Sequence, residues 1–120
     1  MRAIPRRLLI HTLTVGRAVT KDRWGKTTTE QEESLTYVRL EPSGKIIKTK
    51  DKQEIQLAAV LFFDCRHSRP IGQEFQEGMI FGFNGERYRV ETVEPLYDEG
   101  RLHHYEIGLV RHGSRYKNHI

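Results

Sequence analysis

The stretch Met79-Ile80-Phe81-Gly82-Phe83-Asn84-Gly85-Glu86-Arg87-Tyr88-Arg89-Val90-Glu91-Thr92-Val93-Glu94-Pro95-Leu96-Tyr97-Asp98-Glu99-Gly100-Arg101-Leu102-His103-His104-Tyr105-Glu106-Ile107-Gly108-Leu109-Val110 decides the fold. Asn84-Gly85 separates two apolar-patterned runs. A type I′ turn needs φ > 0 at both central residues, so Asn-Gly in that setting predicts a β-hairpin. Residues 95–100 carry Pro95 and Gly100 and turn the chain a second time, which makes the region a three-stranded meander. In the last of these strands the period of two puts His103, Tyr105, Ile107 and Leu109 on one face. It puts His104, Glu106, Gly108 and Val110 on the other.

Upstream, the pattern is again that of strands. Residues 7–15 (Arg-Leu-Leu-Ile-His-Thr-Leu-Thr-Val) read as a first strand, and residues 35–41 as a second, stopped by Pro42-Ser43-Gly44. Between them, residues 16–34 lack periodicity and read as a long loop. Residues 45–54 hold Lys45, Lys48, Lys50 and Lys52 with only Ile46 and Ile47 between them, which fits a short exposed strand or a second long loop. Residues 55–64 are apolar on both faces from Leu57 to Phe63 and read as one strand covered on two sides. The cover is the domain's own or a neighbouring subunit's. Residues 66–78 read as loop, with one helical turn over 73–77.

At 120 residues the chain is one domain that can bury roughly two-thirds of its unfolded surface. Basic ends at about 1–6 and 112–120 are expected to be flexible. Cys65 is the only cysteine, which excludes an intrachain disulfide and suits a reducing cytoplasm. The apolar run at Leu8-Leu9-Ile10 is far too short for a signal peptide, and no run is long enough to span a membrane. The net charge is +4, unevenly spread: residues 1–26 carry +6, residues 51–110 carry −5 and residues 111–120 carry +3. Basic ends on an acidic centre are either solvated or meet an acidic partner such as nucleic acid.

No reaction is written in the residues. His103 and His104, adjacent on a strand, should face opposite ways. His11, His67, His112 and His119 lack ligand spacing, so no metal site is expected. Glu91 and Glu94 fall on opposite faces, and no phosphate-binding loop is present. The reading is therefore no catalytic residues, no cofactor and no metal. Trp24, within Asp22-Arg23-Trp24-Gly25, either caps the core or anchors a protein interface. The doubly apolar strand, with Leu57, Leu61 and Phe63, is a second candidate interface. A rival reading is an oligonucleotide-binding barrel, in which Tyr88 and Tyr105 would stack bases beside Arg87 and Arg89. The net negative sheet argues against it.

The chain resembles the minor capsid proteins of tailed bacteriophages, the small head-closure or head–tail connector proteins. The likeness runs through Pro5-Arg6-Arg7-Leu8-Leu9-Ile10-His11, Asp22-Arg23-Trp24-Gly25, Val38-Arg39-Leu40-Glu41-Pro42 and the strand at residues 56–63. It is densest in Val93-Glu94-Pro95-Leu96-Tyr97-Asp98 and Leu102-His103-His104-Tyr105-Glu106-Ile107-Gly108-Leu109. The expected architecture is mainly β, a small antiparallel barrel or sandwich with a C-terminal meander and long loops. The resemblance implies a virion protein, made in the bacterial host cytoplasm, that assembles with itself as a ring below the portal and adaptor. Such a ring helps retain packaged DNA and offers a docking surface to tail proteins. Arg23, Trp24, Leu57, Leu61 and Phe63 are then candidates for assembly contacts. Lys45, Lys48, Lys50 and Lys52, on residues 43–54, are candidates for a loop lining the DNA channel. The plainer alternative for that loop is a solvated hairpin.

Overall fold

The structure, a computed structural model, describes residues 3–16, 18–21, 27–29 and 33–112, with backbone alone for 18–21 and 27–29. A short 3-10 helix at Arg6–Leu8 is followed by ten strands: β1 (His11–Gly16), β2 (Ala18–Lys21), β3 (Thr27–Thr29), β4 (Glu33–Pro42), β5 (Ile46–Lys48), β6 (Glu54–Gln56), β7 (Ala59–Asp64), β8 (Ile80–Phe83), β9 (Glu86–Asp98) and β10 (Arg101–Arg111). Six of them close into an antiparallel barrel in the order β1-β4-β7-β10-β9-β8, and β8 returns to β1. The pairs β2–β3 and β5–β6 form two small two-stranded sheets outside it.

The C-terminal meander is present as the turn chemistry predicts. Asn84 and Gly85 have φ of 51° and 78°, the double left-handed pair that matches the twist of the flanking strands. The second turn is made by Glu99 and Gly100, at φ 53° and 86°. It lies beyond Pro95, which is inside β9 rather than in the turn. Proline is tolerated there because β8 pairs only with the first part of β9, so Pro95 sits on a sheet edge.

The barrel interior follows the period of two. Ala59, Leu61 and Phe63 of β7 face Leu109, Ile107 and Tyr105 of β10 in register, and Leu13, Leu35, Val38, Phe81 and Val90 fill the space between. Each fully buried side chain of this size contributes about 1.5–3 kcal/mol. Phe75, from the loop after β7, plugs one end of the barrel. Its ring meets Phe63 at 5.2 Å, Tyr105 at 5.2 Å and Phe81 at 6.0 Å, all edge to face. The seam between β1 and β8 is tight: a Cβ on Gly82 would lie 2.6 Å from Thr14 Oγ1, so a larger residue there must displace the Thr14 side chain.

Four readings of the sequence are corrected. The first strand begins at His11 rather than Arg7: Arg7 and Leu8 belong to the 3-10 helix, because the chain after Pro5 coils back with Leu8 N donating to Pro5 O and Leu9 N to Arg6 O. The long loop at 16–34 contains β2 and β3. The single strand at 55–64 is broken at Leu57-Ala58: β6 belongs to the hairpin and β7 to the barrel. Residues 73–76 are irregular rather than helical, since Phe75 is committed to the barrel end.

The amino-terminal segment is tied to the barrel from Ile4 onward. Ile4 N donates to Asp64 Oδ1 at 3.1 Å, and the Arg6 guanidinium lies 4.3 Å over the Tyr37 ring. Tyr37 itself is held at φ 56° where the β1–β4 register slips, a costly conformation for an aromatic residue. It persists because the Ser68 hydroxyl donates to its carbonyl and Thr36 and Arg69 pair through their backbones on either side.

Candidate functional site

The lysine-rich segment expected to line a channel is a hairpin arm on its own sheet. Ile46, Ile47 and Lys48 pair with Gln56, Ile55 and Glu54. The tip closes with Thr49 N donating to Gln53 O at 2.9 Å and Lys52 N to Thr49 O at 2.9 Å, with Lys52 at φ 64° in the position usually given to glycine. Its base is fixed to the barrel wall: Ser43 N donates to Ala58 O, Leu57 N to Lys45 O and Ala58 N to Leu109 O. Lys45, Lys48, Lys50 and Lys52 are all exposed, against Asp51 and Glu54 as the acids of the same arm. A stem anchored to the wall and a charged tip in solvent can present cations to a polyanion without disturbing the core.

Of the candidate assembly residues, Arg23 and Trp24 lie outside the described residues. Leu61 and Phe63 are 0% and 2% exposed inside the barrel, so they offer nothing to a neighbour in this fold. Leu57 is buried too, under the hairpin base and against Gly108, where a Cβ would lie 3.0 Å from Leu57 Cδ1. The apolar run from Leu57 to Phe63 is therefore explained by the barrel itself. Its alternate residues Val60 and Phe62 face outward and are half-buried. The base-stacking pair of the rival reading is likewise occupied. Tyr88 is 8% exposed in the core, and Tyr105 packs on Phe75 and Phe63.

The histidine pair departs from the expectation of opposite faces. The β9–β10 register slips between Leu102 and His104, and this bulge turns His103 toward its neighbour. Their Nδ1 atoms are 2.7 Å apart, and His104 Nε2 is 3.0 Å from Glu106 Oε2. With His104 Nε2–H donating to the carboxylate, its Nδ1 accepts and His103 Nδ1 donates. His103 also borders an open cleft of about 790 Å³ at one barrel end, with Asp64, Cys65, Arg66, Ile71 and Arg101. Burial and then the neighbouring Asp64 carboxylate push the Cys65 thiol pKa up, the reverse of what activates a nucleophile. Among the described residues no group of three or more His, Cys, Asp or Glu is placed to hold a metal ion, and no helix is long and apolar enough to cross a membrane.

Sequence reasoning missed the role of Asp64. Fully buried, it accepts from Ile4 N on one oxygen and from Arg66 N (3.1 Å) and His67 N (2.8 Å) on the other. It joins the amino-terminal segment to the end of β7. An acid closing an apolar run before Cys-Arg-His-Ser is the available clue, since Asp readily caps backbone N–H groups in turns.

Two histidines make stability depend on pH. His11 Nδ1 accepts from Leu40 N at 2.9 Å, which requires that nitrogen to be unprotonated. Burial, then Arg39, lowers its pKa from the usual 6.5; burial, then Arg89 and Arg87, does the same to His112. A depressed histidine pKa means the unfolded chain binds more protons, so stability falls as pH drops below 6.5. The melting temperature should be level above that value and decline below it, and His11→Gln should reduce the decline. An unchanged acid slope in the variant would remove His11 from the account.

The comparison with known families fits this geometry. A family model described as minor capsid protein matches residues 5–109, from the proline ahead of the 3-10 helix to nearly the end of β10. No curated protein matches the chain. With most of its length matched, the chain belongs to the minor capsid protein family of bacteriophages and has a structural role in the virion.

Proposed function

We propose that the protein is a head–tail connector or head-closure subunit, which forms a ring below the portal and adaptor, helps retain packaged DNA and offers a surface to the tail. The observation that carries this reading is the hairpin arm: a two-stranded sheet outside a closed barrel, fixed at its base and bearing four exposed lysines. Repeated around a ring, such arms place a circle of cations at the channel. A closed barrel suits a repeated subunit, because closure removes most sheet edges and limits uncontrolled pairing between copies. Head-to-tail contact of two different patches then generates a ring. Arg23 and Trp24 are assigned to contacts with the next subunit or the adaptor on their sequence context alone.

The test is mass by light scattering, for the protein alone and with its cognate portal–adaptor complex. A ring, or co-elution with that complex, is the expected result; a monomer that ignores the complex overturns the reading. Changing Lys45, Lys48, Lys50 and Lys52 together to Ser should leave the melting temperature within about 2 °C, as expected for exposed positions. It should lower the fraction of heads that retain DNA. Because phosphate contacts release counterions, the defect should resemble that produced in the wild type by raising salt. Unchanged retention removes the arm from the channel.

A further inference from the structure

The β9 strand outruns its neighbour. β8 pairs with it only from Glu86 to Arg89, and Gly78 and Met79 add bonds at Val90. Over residues 91–98 its ladder runs to β10 alone, and among the described residues no other backbone segment pairs with the opposite edge. Alternate backbone groups along that edge point away from the barrel, ready to pair with an added strand.

The face beside this edge has a specific character. Glu94 and Glu106 are directly opposite each other across the ladder, an arrangement of like charges that costs stability. Both residues border a groove of about 280 Å³ under the hairpin arm, with Ile47, Leu57 and Val60 as its apolar lining and Lys45 as the one cation beside the two acids. An apolar trough with acids along its rim fits the aliphatic stem and charged head of Lys or Arg.

We propose that this edge and groove receive the basic segment at residues 113–120 of a neighbouring copy as an added strand, a contact that rests on the ring reading above. That segment reads Gly-Ser-Arg-Tyr-Lys-Asn-His-Ile, with Arg115 and Lys117 two residues apart and so on one face when extended. His112 N donates to Arg87 O, so the chain leaves β10 at the far end of β9, with β9 itself between that exit and the open edge. A neighbour's segment meets no such obstacle, and the contact, edge to tail, repeats around a ring.

The test uses the full chain, a chain stopped after His112, Glu94→Lys, Lys117→Glu, and the two substitutions together, each checked for folding by its melting curve. Relief of the Glu94–Glu106 repulsion means Glu94→Lys should melt no lower than the wild type. Truncation and each single reversal should raise the concentration needed for half-assembly by about tenfold or more, and the paired reversal should restore it to within about threefold. A ring that forms as readily without residues 113–120, or a pair that fails to recover, overturns this inference alone. A full chain that assembles neither by itself nor on the portal–adaptor complex overturns the ring reading and this inference with it.

Discussion

Phe63→Ala is expected to destabilise the protein by about 3–5 kcal/mol, the usual cost of a phenylalanine-sized void in a core that relaxes only in part. For a domain of this size that is a fall of about 10–20 °C in melting temperature. The side chain is 2% exposed and sits among Phe75, Tyr105 and Leu61. Phe75 belongs to a loop paired with the sheet only near its ends, at Arg69 and at Gly78-Met79, so the hold of its middle on the barrel end depends on these ring contacts. Loss of Phe63 should therefore loosen residues 65–79 before the barrel unfolds, seen as faster amide exchange there than in β8–β10. A variant that keeps the wild-type melting curve and loses only assembly would return Phe63 to the interface for which its sequence context made it a candidate.

Asp64→Ala should be nearly as damaging, at about 2–4 kcal/mol. The carboxylate accepts from three backbone N–H groups at 2.8–3.1 Å, and alanine leaves all three without their acceptor. Water can reach some of them, which keeps the figure below the sum of three buried losses. Asp64→Asn retains one acceptor oxygen and should fall between the two. Limited proteolysis separates the causes: cleavage ahead of His11 should rise in Asp64→Ala, because Ile4 loses its partner, and not in Phe63→Ala. Equal resistance in both variants would mean that the remaining ties, the Arg6–Tyr37 contact and the bonds of His67 to Ile4 O and of Arg39 to Leu8 O, hold the segment without Asp64.

The meander was legible because its turns are local chemistry: Asn84-Gly85 and Glu99-Gly100 carry their own conformational preference. The break between the hairpin arm and the barrel was not. Residues 57–63 form one apolar run, and only the pairing of Leu57 with Lys45 and of Ala58 with Leu109 shows that the chain changes sheets there. The lysine arm could be picked out by charge, although its attachment to the wall could not. The buried hydrophobic strand invited an interface reading because a strand apolar on both faces needs two covers. The barrel interior supplies one for Ala59, Leu61 and Phe63, the hairpin base covers Leu57, and the outward Val60 and Phe62 stay half-buried. The approach of His103 to His104 depends on a register slip that adjacent residues do not signal. The same holds for Tyr37, whose left-handed conformation is imposed by Ser68 and Arg69 from far along the chain.

The hairpin arm meets the barrel wall where Ala58 N donates to Leu109 O, with bonds at Ser43 and Leu57 closing its stem, while everything from Lys48 to Glu54 stands clear of the core. Its tip is thus an interchangeable part. Length, charge and even turn type between these points can drift without an effect on how the barrel packs. Members of the family can share one barrel and differ only at this tip. The same independence makes it the natural place to graft a foreign loop onto the particle.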